Sequence, residues 1–354
     1  MHDFLAADFA RLDADVLRRC MCIDGERLYL AGASGFFGKN LLALLAYLRS
    51  RGASFTVTAL SRAPERLFAE HPWCKAPWIE WRRGDALDAW PGDGDYSLLI
   101  HAATDTAATA HVDLRKVFDD IVTTSRRALD FSAAHKVRRV LLCGSGAQYG
   151  AAGNSRADDL VESSLACDPT QPASAYGEGK RVGELLAALY AREHRFAVIN
   201  SRGFAFVGPG LPLDGHFAIG NFIRDAIAGD AIRLTSAGRA VRSYLYGADL
   251  AVWLMVLLLE ATPGAAINVG SDSRVRIADL ARRVRDLVNP DIPVILGDGL
   301  QRERQVYVPS ITAARALGLA AWTDLDDAIT RTAAWHRRRL VEAGDLRTVG
   351  DAAP

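Results

Sequence analysis

Tyr176 and Lys180 are the residues of this sequence whose types and spacing most suggest acid–base chemistry. The run Tyr-Gly-Glu-Gly-Lys places a phenol and an ammonium group four residues apart, and residues so spaced share one face of a helix. A phenol titrates at about pH 10, so it needs positive charge nearby to act as a base near neutrality. Lys180 can supply that charge, and so can an oxidised nicotinamide ring. Ser145 stands upstream, where its hydroxyl can hold the substrate oxygen that Tyr176 deprotonates.

The order of these residues along the chain is more specific than the pair itself, because Tyr-x-x-x-Lys often occurs by chance. A glycine loop near the start, a serine at a strand end and then the pair point together to hydride transfer. A hydrolase nucleophile is the competing interpretation of Ser145. The nucleophile elbow requires G-x-S-x-G, whereas this chain has Cys143 and Ala147 where the elbow has its glycines. The sequence therefore argues against hydrolysis.

The glycine loop follows a predicted strand and opens a predicted helix, which is the context that gives a glycine pattern meaning. Its spacing is G-x-x-G-x-x-G, and such a loop lets backbone N–H groups meet a pyrophosphate at a helix N-terminus. A nucleotide-binding Walker loop is excluded, because Asn40 follows Lys39 where that motif has Ser or Thr. We expect a dinucleotide to contact Gly32, Ser34, Gly35, Phe36, Phe37 and Gly38.

Residues after the next strands bear on which dinucleotide is bound. An acid after the second strand suits the ribose hydroxyls of NAD, whereas an arginine suits the 2′-phosphate of NADP. Arg62 stands there, with Arg66 nearby. We expect Asp85 to meet the adenine amino group, and the small residues Ala102 and Ala103 to let the cofactor pass closely. The cofactor prediction is NAD or NADP, with Arg62 favouring NADP.

The elements that must position these residues alternate between strand and helix patterns, which predicts right-handed β-α-β units on a doubly wound parallel sheet. The fold class is therefore α/β. The predicted strands are Arg27–Ala31, Phe55–Leu60, Tyr96–His101, Val140–Cys143 and Ala197–Ser201. The predicted helices are Gly38–Arg51, Asp113–His135 and Tyr176–His194.

The domain organisation is predicted from a change in the sequence pattern at about residue 204, where Gly and Pro cluster. We expect an N-terminal helical extension (1–25) packed on a Rossmann core (26–203), and a loose tail (341–354). Between them, 204–340 forms a smaller C-terminal substrate-binding lobe interleaved with the core. The helices Leu250–Glu260 and Ile277–Val288 are expected in that lobe or closing the cleft.

Composition narrows the class of protein further. The 354 residues include 42 Lys plus Arg and 42 Asp plus Glu, for a formal charge of zero. Nucleic acid and membrane surfaces select for a basic excess, so neither is expected as a partner. The five cysteines are an odd number without a C-x-x-C pair, which argues against a disulfide framework and a structural metal site. Free thiols and the lack of a signal-peptide pattern favour the cytoplasm.

The chain resembles an extended short-chain dehydrogenase/reductase of the nucleotide-sugar epimerase/dehydratase group. The resemblance runs from about Leu28 to Trp335 and rests on GASGFFG, HAAT, GSGAQYG, YGEGK, FVGP, VRSYLYGADLA and INVGS. It implies a modified Rossmann fold, a bound nicotinamide dinucleotide and a nucleoside-diphosphate sugar as substrate. It also implies the catalytic residues Ser145, Tyr176 and Lys180, and a homodimer formed through Asp113–His135 and Tyr176–His194.

Two departures from the group's pattern bear on the reaction. Its 4,6-dehydratases carry an Asp-Glu pair after the catalytic Thr, and its decarboxylases keep a Glu there. This chain has Gly146 and Ala147 instead. With no acid to protonate a leaving hydroxyl, 4,6-dehydration is not expected. A nucleotide-sugar 4-epimerase is the first hypothesis, and an NADPH-dependent 4-ketoreductase of a 4-keto-6-deoxy sugar is the second. A dinucleotide sensor without catalysis is remote, since the tyrosine, lysine and serine are all present.

The expected substrate contacts come from both halves of the chain. Arg242 stands where the group has a comparable arginine, and a guanidinium suits phosphate oxygens. Arg304 is a candidate second clamp, although Arg302 is equally placed. The sequence does not distinguish UDP, dTDP, GDP and CDP. The predicted substrate-binding residues are Thr104, Gly146, His216, Asn221, Arg242 and Arg304.

Overall fold

A parallel sheet runs through the computed structural model, which describes residues 2–104, 112–150, 166–215, 217–299 and 306–343. Its strands are β1 (Arg27–Ala31), β2 (Thr56–Ser61), β3 (Ile79–Arg83), β4 (Leu98–His101), β5 (Arg139–Ser145), β6 (Ala197–Gly203) and β11 (Ala266–Val269). Shorter strands are β7 (Phe206–Val207), β8 (Ile232–Arg233), β9 (Val241–Arg242), β10 (Leu245–Tyr246), β12 (Val275–Arg276), β13 (Val294–Ile295) and β14 (Val306–Tyr307).

Helices surround this sheet. They are α1 (His2–Phe9), α2 (Ala14–Cys20), α3 (Phe36–Ser50), α4 (Pro64–Glu70), α5 (Leu114–Ala134), α6 (Ala175–His194), α7 (Ala218–Ala228), α8 (Gly247–Glu260), α9 (Ile277–Val288), α10 (Thr312–Ala316) and α11 (Leu325–Ala343). The five predicted strands and three predicted helices of the core are all present, with ends shifted by one or two residues.

The strand order is β11-β6-β5-β4-β1-β2-β3, with every pair parallel. The order reverses between β1 and β4, and open α/β sheets bind their ligands at the carboxyl ends of the strands beside such a point. The predicted doubly wound Rossmann sheet is thereby confirmed. Strands β3 and β11 were not predicted from the sequence. Strand β3 lies at the sheet edge and is mostly polar, so it lacks a clear alternation of apolar and polar residues. Strand β11 comes from the region that was expected to form the substrate lobe.

The two faces of the sheet carry separate hydrophobic cores. Successive strand residues point to opposite faces, so Leu28 and Leu30 of β1 join one core and Tyr29 joins the other. The first core is shared with α3 and α8, and the second with α5 and α6. Both faces being covered explains why the central strands are buried throughout.

Helix α8 differs from its prediction. Leu250–Glu260 was expected in the substrate lobe or closing the cleft, but α8 packs on α3 and on β5 and β6 under the sheet. A helix that is apolar on all sides must be buried on all sides, and Trp253 in its middle is fully buried. The sheet face offers such a site, whereas a small lobe at the surface does not.

The N-terminal segment forms two helices where one was expected. Asp13 divides them, because its carboxylate accepts a hydrogen bond from Asp15 N (2.7 Å) and caps α2. Leu5 and Phe9 are fully buried, and α1 packs on α3 while α2 packs on α8. Asp8 also binds Tyr246 Oη (2.8 Å) and Arg331. The segment is therefore tied to β10 and to the C-terminal helix α11.

The remaining elements build small sheets beside the carboxyl end of the main one. Strand β9 pairs with β12 and β14, β10 with β7, and β13 with β8. These pairs bring Arg242 and Tyr307 into register on neighbouring strands. Among the helices described, none has the length and apolar character that a membrane crossing needs.

Candidate active site

Strand β5 ends at Ser145, and a 3-10 turn (Gly146–Tyr149) begins directly after it. Ser145 caps this turn: its Oγ accepts a hydrogen bond from Ala147 N (3.1 Å), and Gln148 Oε1 accepts one from Ser145 N (3.0 Å). The serine hydroxyl is thus held in place, and it lies close enough to Tyr176 to lower the pKa of the phenol. The pairing of Ser145 with Tyr176 that the sequence predicted is present in the structure.

Tyr176 lies in the first turn of α6, where its surroundings disfavour the phenolate. Burial raises its pKa to about 12, the nearby Tyr307 adds to the rise, and the hydrogen bond from Ser145 opposes it. From the sequence, Lys180 was expected to lower this pKa. The Lys180 ammonium instead lies 6.0 Å from the centre of the Tyr176 ring. The tyrosine therefore needs further positive charge before it can act as a base near neutrality.

Lys180 has two hydrogen-bond acceptors, and neither is Tyr176. Its Nζ donates to Thr104 Oγ1 (2.7 Å) and to the carbonyl oxygen of Cys143 (2.8 Å). Burial of the ammonium lowers the pKa of Lys180 to about 8. Thr104 was predicted to contact substrate, and the structure places its hydroxyl on the lysine. The two acceptors fix Lys180 across the carboxyl ends of β4 and β5.

The glycine loop is shaped by close contacts between backbone atoms. Gly32 has φ +84°, and a Cβ there would lie 2.5 Å from the carbonyl carbon of Ala102. A Cβ at Gly38 would overlap Gly32 and Ala33. Gly35 caps α3 without a side-chain hydrogen bond, so the first amides of this helix are available to an anion. These features fit the pyrophosphate of a dinucleotide.

Phe36 and Phe37 open the helix, and their rings serve packing rather than ligand contact. The ring of Phe37 meets that of Phe206 edge-on, with centroids 5.0 Å apart, and Phe36 packs against the same core. These two residues would therefore bind an anion through their backbone N–H groups. Ser34 is exposed, and its Oγ accepts a hydrogen bond from Ser61 Oγ (3.1 Å), which ties the loop to the end of β2.

The residues predicted to surround the adenosine lie along the same edge. Arg62 follows β2 and is exposed. Asp85 is partly buried and accepts a hydrogen bond from Leu87 N (3.1 Å), which orients one of its oxygens. Ala102 continues β4 by donating to Ala31 O (2.9 Å), and Ala103 is partly buried beside it. The edge thus brings together the cofactor residues that the sequence predicted.

Substrate-side residues reach this edge from the small sheets. The guanidinium of Arg242 lies 6.0 Å from the centre of the Tyr307 ring. Tyr307 packs on Phe204, with ring centroids 4.7 Å apart, and is close enough to Tyr176 to raise its pKa. A Cβ at Gly146 would lie 2.7 Å from the Phe204 ring. Sequence reasoning missed Phe204 and Tyr307, whose only signal was their place next to the predicted motifs.

The other predicted substrate-binding residues have no described contact with Arg242, Tyr307, Phe204 or Gly146. Asn221 is partly buried on α7, and its Oδ1 accepts a hydrogen bond from Arg224 Nη1 (3.4 Å). His216 and Arg304 lie outside the described residues. Among the residues that are described, no cluster of His, Cys, Asp or Glu could hold a metal ion.

A buried polar network supports the catalytic turn from behind, and the sequence analysis did not detect it. Arg202 of β6 forms two hydrogen bonds with the carboxylate of Glu184 on α6 (2.9 and 2.8 Å) and a third with Tyr149 Oη (2.9 Å). Tyr149 Oη donates to Asn268 Oδ1 of β11 (2.8 Å). The network joins the helix that carries Tyr176 to the turn that follows Ser145.

Known proteins resemble this chain in sequence to different degrees. UDP-glucuronic acid decarboxylase 5 of Arabidopsis thaliana is 32% identical over 148 residues, which are 42% of this chain and 43% of that relative. UDP-glucuronic acid decarboxylase 3 of the same plant is 24% identical over 300 residues, 83% of this chain and 84% of the relative. The shared segment thus spans less than half of the first relative.

A solved structure has the same fold. The UDP-glucose 4-epimerase of Thermotoga maritima with UDP-glucose superposes with a TM-score of 0.75 and 17% identity, over 89% of this chain and 99% of that one. The model of the NAD dependent epimerase/dehydratase family matches residues 28–270, which is more than half of the sequence. The predicted family and a nicotinamide dinucleotide as cofactor are thereby confirmed. This protein is an enzyme of the NAD dependent epimerase/dehydratase family.

Proposed function

We propose that the enzyme carries out redox chemistry at C4 of a nucleoside-diphosphate sugar, as a 4-epimerase. The closeness of Ser145 to Tyr176, which is enough to lower the pKa of the phenol, carries the proposal, because it puts two hydroxyl groups at the carboxyl edge of the sheet, beside the glycine loop. When bound, the dinucleotide supplies the hydride acceptor and donor. Tyr176 takes the proton of the C4 hydroxyl, Ser145 holds the same oxygen, and Lys180 stays fixed by its two acceptors.

The protonation states set a condition on this reaction. With a pKa of about 12, Tyr176 is protonated at neutral pH, and with a pKa of about 8, Lys180 is charged. The pKa of Tyr176 must fall before the phenol can accept a proton. The positive charge of an oxidised nicotinamide, once bound nearby, would lower it. A pKa of Tyr176 that falls when NAD binds is therefore an expected consequence.

The space around Gly146 supports epimerisation or reduction over elimination. The resemblance gives family dehydratases and decarboxylases an acidic residue directly after the catalytic hydroxyl. Any side chain at Gly146 would enter the Phe204 ring, 2.7 Å from its Cβ position, and Ala147 carries no ionisable group. The similarity to UDP-glucuronic acid decarboxylases therefore extends to the fold and cofactor site, while the acid expected of a decarboxylase is missing.

A 4-ketoreductase that uses NADPH is the second candidate, and Arg62 is the observation that favours it. Its side chain is exposed and forms no ion pair within the described part of the chain, so it is available to a 2′-phosphate. The nucleotide released from denatured, purified protein separates the candidates. Stoichiometric NAD supports an epimerase, which recycles its cofactor in each turnover. An empty site that prefers NADPH to NADH supports a reductase.

The test of the catalytic assignment is Tyr176→Phe, which removes only the phenolic oxygen. We expect turnover of UDP-sugars or 4-keto sugars, followed by chromatography of C4 epimers and by NADPH absorbance, to fall at least about a thousandfold. Bound dinucleotide should be unchanged. Tyr47→Phe is the matched control, because that hydroxyl forms no hydrogen bond with described residues. Turnover retained by Tyr176→Phe rejects the assignment.

We also propose a homodimer through α5 and α6. Leu185 and Leu189 of α6 are 61% and 46% exposed, and large apolar side chains grouped on one helix suit an interface. The proposal rests on this surface and on the family resemblance. Leu185→Glu should shift the protein to half its mass in light scattering, and a wild-type protein that is monomeric at high concentration refutes it.

A further inference from the structure

A cavity of about 810 Å³ lies between α3, α7 and α11, among residues to which the proposed reaction assigns no role. Its volume is in the range of small-molecule sites. The walls include Lys39 of α3, Arg224 and Ile227 of α7, Leu211 of the loop before α7, and Trp335 and Arg339 of α11. Cationic groups and apolar surface thus face the same space.

Lys39 is the cation of this wall that forms no direct ion pair with a described residue, although the charge of Glu70 partly opposes the fall of its pKa. Within the described ranges, its side chain forms no hydrogen bond and no ion pair. It is partly buried, and burial lowers its pKa because the ammonium loses water. Lys180 shows the contrast, since it is also buried but has two acceptors within 2.8 Å. An anion in the cavity would remove the cost of leaving Lys39 unpaired.

The other two cations on the wall are already bound. Arg339 donates to Glu70 O (2.9 Å), and its guanidinium lies 5.8 Å from the centre of the Trp335 ring. Arg224 pairs with Asp225 (2.7 Å) and donates to Leu213 O (3.3 Å). Both arginines add to the positive potential of the cavity, but their guanidinium groups already have hydrogen-bond partners. The wall therefore presents one unpaired charge, at Lys39.

Apolar groups complete the walls. Leu211 and Trp335 are almost entirely buried, and Ile227 and Leu340 are partly buried. Asp214 also lines the cavity but is exposed, where water and salt screen its charge. A ligand that suits this cavity carries one acidic group and an apolar body.

We propose that this cavity binds a small organic anion, whose acidic group pairs with Lys39 and whose apolar body packs on Leu211, Ile227 and Trp335. Sites of this kind combine mostly apolar walls with a few polar groups that fix orientation. The occupant would be a carboxylate or phosphate of an aromatic or alkyl group. Its binding is independent of the proposed sugar chemistry.

The experiment is isothermal titration calorimetry on the full chain with saturating NAD, using benzoate, phenyl phosphate and octanoate as probes. Benzyl alcohol and benzylamine are the neutral and cationic controls. We expect at least one anionic probe to saturate below about 1 mM, at least tenfold more tightly than both controls. No saturation by any anion, or equal binding of the uncharged control, overturns the proposal.

Two variants locate the binding. Lys39→Met keeps the length of the side chain and removes the charge, and Ala228→Trp narrows the cavity from an exposed wall position. Each should weaken the anion at least tenfold. Lys136→Met is the matched control, because Lys136 is 77% exposed and pairs with Asp95 away from the cavity. Unchanged affinity in Lys39→Met, with wild-type circular dichroism, refutes the site.

Discussion

The candidate active site has two halves, one formed mainly by backbone atoms and the other mainly by side chains. The cofactor half is shaped by backbone atoms: Gly32 lies against Ala102, and the start of α3 leaves its amides free. The catalytic half is shaped by side chains that reach one another from distant segments, such as Lys180 and Thr104. A site made of backbone tolerates no added Cβ, whereas a site made of side chains can lose one group and keep its fold. The two halves should therefore fail in different ways when they are changed.

Gly32→Ala should have the largest effect, and it tests the backbone half. The added Cβ would lie 2.5 Å from the carbonyl carbon of Ala102, at a φ of +84° that L-residues rarely adopt. Strain and overlap together should cost about 4 kcal/mol of the free energy of unfolding, measured by urea denaturation, and dinucleotide binding should be lost.

Gly264→Ala separates the two causes of that loss. Gly264 has nearly the same φ, +83°, and nothing within 4 Å of its Cβ position. Its cost should be limited to the strain of a left-handed residue, about 1 kcal/mol. Equal destabilisation by the two variants would show that the contact with Ala102 has no part in shaping the loop.

The same distinction explains what could be predicted from the sequence. Backbone contacts require glycine at Gly32 and Gly38, so the spacing of these two residues with Gly35 marks the loop in the sequence. Tyr176 and Lys180 are also visible, because their pairing is local to one helix. Strand pairing between distant segments brings Phe204, Tyr307 and Arg202 to the site. No local sequence pattern predicts such long-range contacts. For α8, the apolar run was seen, but which face of the molecule it covers depends on α3.

Arg202→Met should have the next largest effect, and it tests the side chains that support the catalytic half. The side chains of Arg202 and Glu184 are 13% and 18% exposed, so the variant leaves a mostly buried carboxylate without its partner. The free energy of unfolding should fall by about 3 kcal/mol. The double variant Arg202→Met/Glu184→Gln should recover part of this loss, because it removes the unpaired charge.

A matched surface pair gives the control for that variant. Arg83 and Glu65 form an ion pair with side chains that are 65% and 54% exposed, so Arg83→Met should cost less than about 1 kcal/mol. If Arg202→Met costs no more than Arg83→Met, the network does not hold α6 on the sheet, and the catalytic turn is supported by packing alone.

Thr104→Val should have the smallest effect, and it affects catalysis with little loss of stability. The substitution keeps the shape and removes the hydroxyl that accepts a hydrogen bond from Lys180 Nζ at 2.7 Å. That bond favours the charged lysine, so its loss lowers the pKa of Lys180 further below the about 8 that burial already sets. A hydrogen bond to a charged group contributes about 1.5 kcal/mol, which corresponds to about one pH unit.

The sign of the pH effect follows from which form of Lys180 is active. If the charged form is required, kcat falls as pH rises through the pKa of Lys180, and in Thr104→Val this fall moves to lower pH by about one unit. Thr104→Ser keeps the acceptor and should restore the wild-type profile. A pH profile that is unchanged in Thr104→Val, with kcat/KM reduced only through a higher KM, would mean that Thr104 contacts the substrate. The catalytic half would then depend on Lys180 through Cys143 O alone.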